Sequence, residues 1–272
     1  MGQVIDGRAI AARRQGRLQK KLKRLRVMAN VVSILVGDDP PSVLYTHIKR
    51  KKAQELGIQF TPLGFAETSP FATVANAIAK LNQDPTVTGV MVQLPLPKRF
   101  LGNRPEHDLL KLIDPKKDVD GLTGHGKYPC AAVAAVLSIL QEEHVVVRGK
   151  QVVVLGASDL VGKPVAAQLV KRGGMVQMCD RQTENIAQKT RQADILISAT
   201  GSPGLVTGKM VKRGVVVIDI GAEKVNGKVV GDVDFASVAP KASKITPVPG
   251  GVGPVTVISL MENAVAAAEH QV

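Results

Sequence analysis

Gln151-Val-Val-Val-Leu155 runs directly into Gly156-Ala-Ser-Asp-Leu-Val-Gly162, and then into a helix-forming stretch from Lys163 to Arg172. The unbroken apolar run reads as a strand covered on both faces, the situation of a parallel sheet. Strand, glycine-rich turn and helix outline a dinucleotide site: backbone amides at such a helix start bind a pyrophosphate, and the helix dipole favours its charge. Gly156, Ala157 and Ser158 are the turn residues placed to meet a cofactor. The spacing is not Gly-x-Gly-x-x-Gly, so a plain tight turn of an α/β protein is the competing reading.

The alternation continues through apolar strands at Met175 to Cys179, Ile195 to Ser198 and Val215 to Ile218. The first of these ends at Asp180-Arg181, where this fold discriminates the cofactor ribose. An acidic group favours a free 2′-hydroxyl and an arginine accommodates a 2′-phosphate. Arg181 turned inward with Asp180 away selects NADP; the reverse selects NAD. Ala199-Thr-Gly-Ser-Pro203 and Asp219-Ile-Gly-Ala222 follow strands, which places Ala199 and Ala222 at the carboxyl edge where ligands bind. Before this region, strands at Val31 to Val36, Gln59 to Gly64 and Gly89 to Gln93 alternate with helices at Ser42 to Leu56 and Ala72 to Leu81. The pattern predicts an α/β protein of two lobes, the second a Rossmann-like dinucleotide-binding domain. Residues 1–128 form the first domain and 129–253 the second, and the terminal helix, within 254–272, packs back on the first.

With 272 residues, 44% of them hydrophobic, the chain can bury substantial cores. Its net charge of +13 and the basic segment Arg13 to Arg26 raise the question of nucleic acid. Leu18, Leu22 and Leu25 recur there at helical spacing, so the segment reads as an amphipathic helix with a solvated basic face. Aromatic residues make up 3% of the chain, too few for base stacking, and the positive field suits small polyanions such as phosphorylated cofactors. No apolar run is long enough to span a bilayer and the start lacks a signal-peptide core, so a cytoplasmic protein is expected. Cys130, Cys179 and the histidines show no ligand spacing, and no metal site is expected.

The run Thr246-Pro-Val-Pro-Gly-Gly-Val-Gly-Pro-Val-Thr256 is too rich in proline and glycine for a helix interior or central strand. Its prolines fix dihedrals and its glycines admit close approaches, giving a rigid backbone wall, with Pro254 suited to the first turn of the helix that follows. Earlier in the chain, Tyr45 and Lys49 are four apart and share a helix face. Gln93 ends a strand in Val92-Gln-Leu94-Pro-Leu-Pro97, and Asp120 precedes a glycine in Lys117-Asp-Val-Asp-Gly121. Each has an ordinary reading: a packed tyrosine with a solvated lysine, a strand-end cap, a turn residue.

Taken in order, Ile5-Asp-Gly7, Tyr45-x-x-x-Lys49, Val92 to Pro97, Lys117 to Gly121, Gly156-Ala-Ser158 with Val161-Gly162, and Thr246 to Thr256 span nearly the whole chain. In these motifs it resembles the bifunctional methylenetetrahydrofolate dehydrogenase/methenyltetrahydrofolate cyclohydrolase family. The resemblance implies oxidation of 5,10-methylenetetrahydrofolate with NADP, or with NAD in second place, then hydrolysis to 10-formyltetrahydrofolate. It implies that Tyr45 stacks on the folate, that Lys49 serves the hydrolysis, that Gln93 bonds and tunes Lys49, and that Asp120 binds the pterin edge. Leu94, Gly253 and Pro254 would also meet substrate; Gly156, Ala157, Ser158, Asp180, Arg181, Ala199, Ala222, Gly253 and Thr256 would meet cofactor. It further implies that the two α/β lobes lie around a cleft, with folate on the first and cofactor on the second, and a homodimer acting on tetrahydrofolate derivatives, including polyglutamylated ones.

Arg50, Lys51 and Lys52 are neighbouring cations expected to push Lys49 toward its neutral form. The chain departs from the family pattern in a shortened segment between Gly121 and Pro129, in Ala131-Ala132 for Thr-Pro, in Gly221-Ala-Glu223 for Gly-Ile-Asn, and in Asp180 for a frequent histidine. Two rival readings are an enzyme of this fold retaining one of the two activities, and a basic nucleic-acid-binding protein on an inactive enzyme fold.

Overall fold

The computed structural model describes residues 2–25 and 28–271. The chain begins with β1 (Gln3–Val4), α1 (Gly7–Leu22), β2 (Asn30–Val36), α2 (Pro40–Leu56), β3 (Gln59–Phe65), α3 (Phe71–Gln83) and β4 (Gly89–Val92). Two single-turn helices follow, α4 (Lys98–Leu101) and α5 (His107–Leu110), and then α6 (Ala131–Glu142). Next come β5 (Gln151–Leu155), α7 (Gly162–Lys171), β6 (Met175–Cys179), α8 (Ile186–Thr190), β7 (Ile195–Ser198) and β8 (Val216–Asp219). The remainder is β9 (Glu223–Val225), β10 (Lys228–Val230), α9 (Phe235–Val238), β11 (Lys244–Ile245) and α10 (Val252–His270).

These elements form two compact units. One holds the chain up to Arg13 together with Ala132–Thr256, and the other holds Arg14–Ala131 with the chain from Val257 onward. The N-terminal residues are thus a correction to the expected 1–128 domain. Val4 pairs in parallel with Ile245, Ile5 N donates to Ile245 O at 2.8 Å, and Ile5 is fully buried. A two-residue strand carries no periodicity, so the pairing is invisible before the chain is folded.

In the first unit the described strands lie in the order β1-β11-β8-β7-β5-β6, parallel throughout. Leu155, Leu196, Val217 and Ile245 meet in its core. The edge strand β6 alternates exposed and covered residues, as a strand with one neighbour does. Beside the sheet, β9 and β10 form an antiparallel hairpin turned by Asn226 and Gly227, both at positive φ.

In the second unit β2 lies between β3 and β4, again parallel. Asp39 caps α2 by accepting from Ser42 N at 3.0 Å, two prolines occupy its first turn, and Gly57 closes it at φ 72°. These signals explain why the helix carrying Tyr45 and Lys49 begins and ends where it does.

The basic stretch differs from expectation. The helix ends at Leu22, so Leu25 lies beyond it, and Arg26 lies outside the described residues. Arg14 is buried and pairs with Glu262, while Arg13 meets Glu142 at 3.0 Å and Lys21 meets Glu269 at 2.5 Å. Arg14 thus leaves the cationic face for the interior, while Arg13 and Lys21 stay on it with acidic partners.

Candidate active site

Tyr45 and Lys49 stand one helical turn apart on α2, both half-buried. Lys49 Nζ donates to Gln93 Oε1 at 3.0 Å and lies 3.8 Å from Asp120 Oδ2. Gln93 continues the ladder one residue past β4, its N–H donating to Ile34 O at 2.8 Å. Its Nε2 donates to Leu94 O at 2.7 Å, which turns the amide so that Oε1 faces the ammonium.

The loop presenting Asp120 is fixed from several sides. Val90 N donates to Lys117 O at 2.7 Å, and Lys117 Nζ donates to Leu81 O and Asp84 O. The fully buried Asp118 accepts from the N–H groups of Gly121, Leu122 and Thr123 at 2.9, 3.2 and 2.9 Å. Gly121 sits at φ 69°, and a Cβ there would run into the backbone joining Pro129 to Cys130. From α10, Asn263 Nδ2 donates to Val119 O at 2.8 Å and Pro129 O at 2.9 Å.

Neither Asn263 nor the clamp made by Asp118 has a sequence signal, because Asn263 bonds loop backbone far away in the chain and Asp118 bonds N–H groups of an irregular loop without a period. Replacing Asn263 by Ala takes this donor from the buried Val119 carbonyl and from the Pro129 carbonyl, whose bond is part-buried. Denaturant unfolding is expected to show a loss of about 2–4 kcal/mol, the usual cost of orphaning such groups. A change below about 0.5 kcal/mol would contradict the clamp, being the ordinary range of a neutral surface substitution.

Burial pushes the Lys49 ammonium below the ordinary lysine range, and the Asp120 charge opposes this. Burial likewise pushes the Asp120 carboxyl up, with Lys49 opposing and Asp118 adding to the rise. The expected cause, repulsion by Arg50 to Lys52, is corrected. Arg50 and Lys51 are exposed, and Lys52 Nζ is engaged by Glu55 at 2.5 Å and Gln15 at 2.9 Å. Arg50 and Lys51, one and two positions on from Lys49, project from other sides of the helix, and Lys52, which shares its face, is turned to its own partners.

In the other unit, Gly156 sits at φ 101° and a Cβ there would strike the Ala199 carbonyl. A Cβ on Gly162 would strike the Gly156 carbonyl, so the turn closes on itself where α7 starts. Ser158 Oγ accepts weakly from Val161 N and Gly162 N at 3.3 and 3.2 Å. Ala157 is half-buried and Ser158 exposed, which leaves this backbone corner accessible and fits it to a pyrophosphate. Asp180 and Arg181 are both exposed at the end of β6. Asp180 Oδ1 accepts from Gln182 N at 3.0 Å and Thr183 Oγ1 at 2.8 Å.

The proline- and glycine-rich loop packs on the N-terminal motif: a Cβ on Gly7 would strike the Gly251 carbonyl. Asp6 Oδ1 in turn caps α1 through Arg8 N and Ala9 N at 2.9 and 3.0 Å. Ala222 and Gly253 are exposed, a Cβ on Gly253 would meet nothing within 4 Å, and Pro254 is half-buried. Thr256 Oγ1 donates back to Val252 O at 3.2 Å within α10. Among the described residues no group of three or more His, Cys, Asp or Glu could hold a metal ion, and no helix is long and apolar enough to cross a membrane.

A parallel dinucleotide-type sheet in one unit and a buried lysine-carboxylate-amide cluster in the other define an α/β enzyme that combines redox and proton-transfer chemistry. Residues 5–120 match the catalytic domain of tetrahydrofolate dehydrogenase/cyclohydrolase, and residues 129–272 match its NAD(P)-binding domain. The bifunctional protein FolD of Lactobacillus acidophilus is 43% identical over 100% of this chain and 99% of its own length. The crystal structure of the bifunctional enzyme FolD from Campylobacter jejuni superposes with a TM-score of 0.92 at 37% identity, covering 100% of both chains. The methylenetetrahydrofolate dehydrogenase-cyclohydrolase of Trypanosoma brucei, solved with NADP and an inhibitor, gives 0.91 at 33% identity over 99% of this chain and 98% of its own. The chain belongs to the tetrahydrofolate dehydrogenase/cyclohydrolase family, and is a bifunctional enzyme of folate one-carbon metabolism that uses a nicotinamide dinucleotide. The nucleic-acid reading of its charge gives way to this one.

Proposed function

We propose that this chain oxidises 5,10-methylenetetrahydrofolate with NADP, and hydrolyses the resulting methenyl compound to 10-formyltetrahydrofolate by means of Lys49. The observation that carries this reading is Lys49, its side chain only 12% exposed, with Gln93 Oε1 at 3.0 Å and Asp120 Oδ2 at 3.8 Å.

When bound, the nicotinamide supplies the hydride acceptor; the protein's share of that step is orientation. Hydrolysis needs a base. A neutral Lys49 amine takes a proton from water as the water oxygen attacks the bridging carbon. The ammonium so formed returns a proton to N5 of the folate as the C–N5 bond breaks, and the remaining hydroxyl proton leaves to solvent as the formyl group forms on N10. Burial that lowers Lys49 makes the amine available, and Gln93 and Asp120 hold it in place in either protonation state. Asp120, as a carboxylate acceptor, also suits the N–H groups of a pterin edge, with the Tyr45 ring and Leu94 flanking the folate.

Hydrolysis alone tests this. Without nucleotide, the full chain is expected to discharge methenyltetrahydrofolate absorbance well above the buffer rate. A rate equal to buffer would contradict it.

For the cofactor, Gly156, Ala157 and Ser158 receive the pyrophosphate, Ala199 and Ala222 border the nicotinamide side, and the open backbone at Gly253 with Thr256 completes the contacts. NADP is preferred because the Asp180 carboxylate is already engaged in its own turn, leaving Arg181 for the 2′-phosphate. Substituting Arg181 by Ala is expected to raise the KM for NADP by about tenfold or more, the worth of a charge-assisted contact, and to change that for NAD by less than about twofold. Equal effects on both would favour NAD. The net charge of +13 also suits acidic polyglutamate tails, and the family resemblance supports a cytoplasmic homodimer.

A further inference from the structure

Two carboxylates lie beneath the loops that follow β7 and β8. Asp232 is fully buried and Asp219 is 2% exposed. Asp232 Oδ2 accepts from Thr200 N at 2.7 Å and Ser198 Oγ at 2.8 Å, and its Oδ1 accepts from Ser202 N at 2.8 Å. Asp219 Oδ1 accepts from Gly221 N at 3.0 Å and from Asp232 N at 3.2 Å, and its Oδ2 accepts from Val233 N at 2.9 Å. The Asp219 N–H itself donates to Thr246 Oγ1 at 2.8 Å, tying in the start of the proline- and glycine-rich loop.

Space for the pair is made reciprocally. A Cβ on Gly221 would strike the Asp232 carboxylate, and a Cβ on Gly231 would strike the Asp219 carboxylate. The spacing Asp219-x-Gly221 followed by Gly231-Asp232 therefore seats each acid against the glycine beside the other.

Such an arrangement is costly as a mere filler of the core, since burying carboxylates in place of apolar groups gains no stability by itself. Burial pushes the Asp219 carboxyl up to about 6, with the Val233 N–H opposing and the Asp232 charge adding. What the bonds accomplish is to hold loop backbone. In the strand order β8-β7-β5-β6, the β5 turn is the pyrophosphate corner and the end of β6 faces the adenosine ribose. The ends of β7 and β8 are on the opposite side of β5, where the nicotinamide half must lie. Ala199, whose carbonyl abuts Gly156, opens the loop that Asp232 holds.

We propose that Asp232, seated by Asp219, is a positioning residue for the nicotinamide half of the cofactor, holding the segment from Ser198 to Ser202 through two bonds from backbone N–H groups and one from the Ser198 hydroxyl. The proposal rests on the dehydrogenase reading above. Its test compares the parent, Asp232→Asn and Ser198→Ala as full chains by fluorescence titration of NADPH, with nucleotide-free methenyl hydrolysis measured beside it.

In Asp232→Asn one acceptor becomes an NH2 group facing a backbone N–H. The Kd for NADPH is expected to rise by about tenfold or more, with hydrolysis within about twofold of the parent. Ser198→Ala removes one donor and keeps both amide bonds, and a rise of about threefold is expected, within the usual worth of a single hydrogen bond. An unchanged Kd in Ser198→Ala, which keeps the proposal falsifiable if Asp232→Asn does not fold, would overturn it. A parallel loss of hydrolysis and NADPH binding in Ser198→Ala would also overturn it, by showing a general structural role. A parent that binds NADPH without oxidising methylenetetrahydrofolate would defeat the dehydrogenase reading instead, leaving the Kd comparison to decide the positioning role.

Discussion

Replacing Lys49 by Met is expected to slow methenyltetrahydrofolate hydrolysis by about 10³-fold, within the range of a lost general base, while oxidation of methylenetetrahydrofolate continues. The substitution keeps an unbranched side chain of similar volume in a largely enclosed site. It removes the group that exchanges protons with water and with N5, and hydride transfer requires neither exchange. Removing one member of a buried pair ordinarily strands the other charge. Here Asp120 has a relief, because burial already pushes its carboxyl upward and it can take up a proton when its cation is gone. The variant is therefore expected to fold. In the parent, hydrolysis should rise with pH as Lys49 loses its proton, and burial sets that rise below the ordinary lysine range. Hydrolysis close to the parent rate in Lys49→Met would remove Lys49 from the mechanism.

The converse dissociation is expected from Gly156→Ala. Its φ of 101° strains any side chain, and the new Cβ would overlap the Ala199 carbonyl, a backbone atom that cannot rotate away. The turn must shift at the point where the pyrophosphate meets the helix start. A loss of about 3 kcal/mol, which combines backbone strain with displaced charge-assisted contacts, corresponds to roughly a hundredfold rise in the KM for NADP. Nucleotide-free hydrolysis depends on residues of the other unit and should persist. Steady-state oxidation with varied NADP, measured beside hydrolysis on the same preparation, checks both halves. An unchanged KM would mean that the turn is not the cofactor corner.

The elements that could be read in the sequence are those whose signal is local. The β5 run and its glycine turn, the spacing of Tyr45 and Lys49, and the caps of α2 all depend on residues within a few positions of one another. The strand pair β1 and β11 could not be read, because two residues have no period. α6 was missed for another reason: Ala131 to Leu140 is apolar on every side, so it lacks the contrast that marks a surface helix. The hairpin at Asn226-Gly227 did carry its usual turn signal, but between strands too short and too exposed to stand out.

In the site, the bond between Lys49 and Gln93 is implied by resemblance and not by spacing, and the approach of Asp120 to Lys49 is seen only in the structure, since the three are brought together from different elements. The cause of the Lys49 shift is not legible in the sequence: it is burial by other elements, while Arg50 and Lys51 face solvent and Lys52 is held by Glu55 and Gln15. Asn263, Asp219 and Asp232 leave no sequence signal because their bonds reach loops distant in the chain, and Asp118 leaves none because its bonds go to backbone N–H groups of an irregular loop.

The central claim, that one chain performs both folate steps, is tested most directly by following methenyltetrahydrofolate absorbance after mixing the full chain with methylenetetrahydrofolate and NADP or NAD in parallel. The account predicts formation and then decay of the methenyl signal, faster with NADP. No methenyl formation with either nucleotide would contradict it.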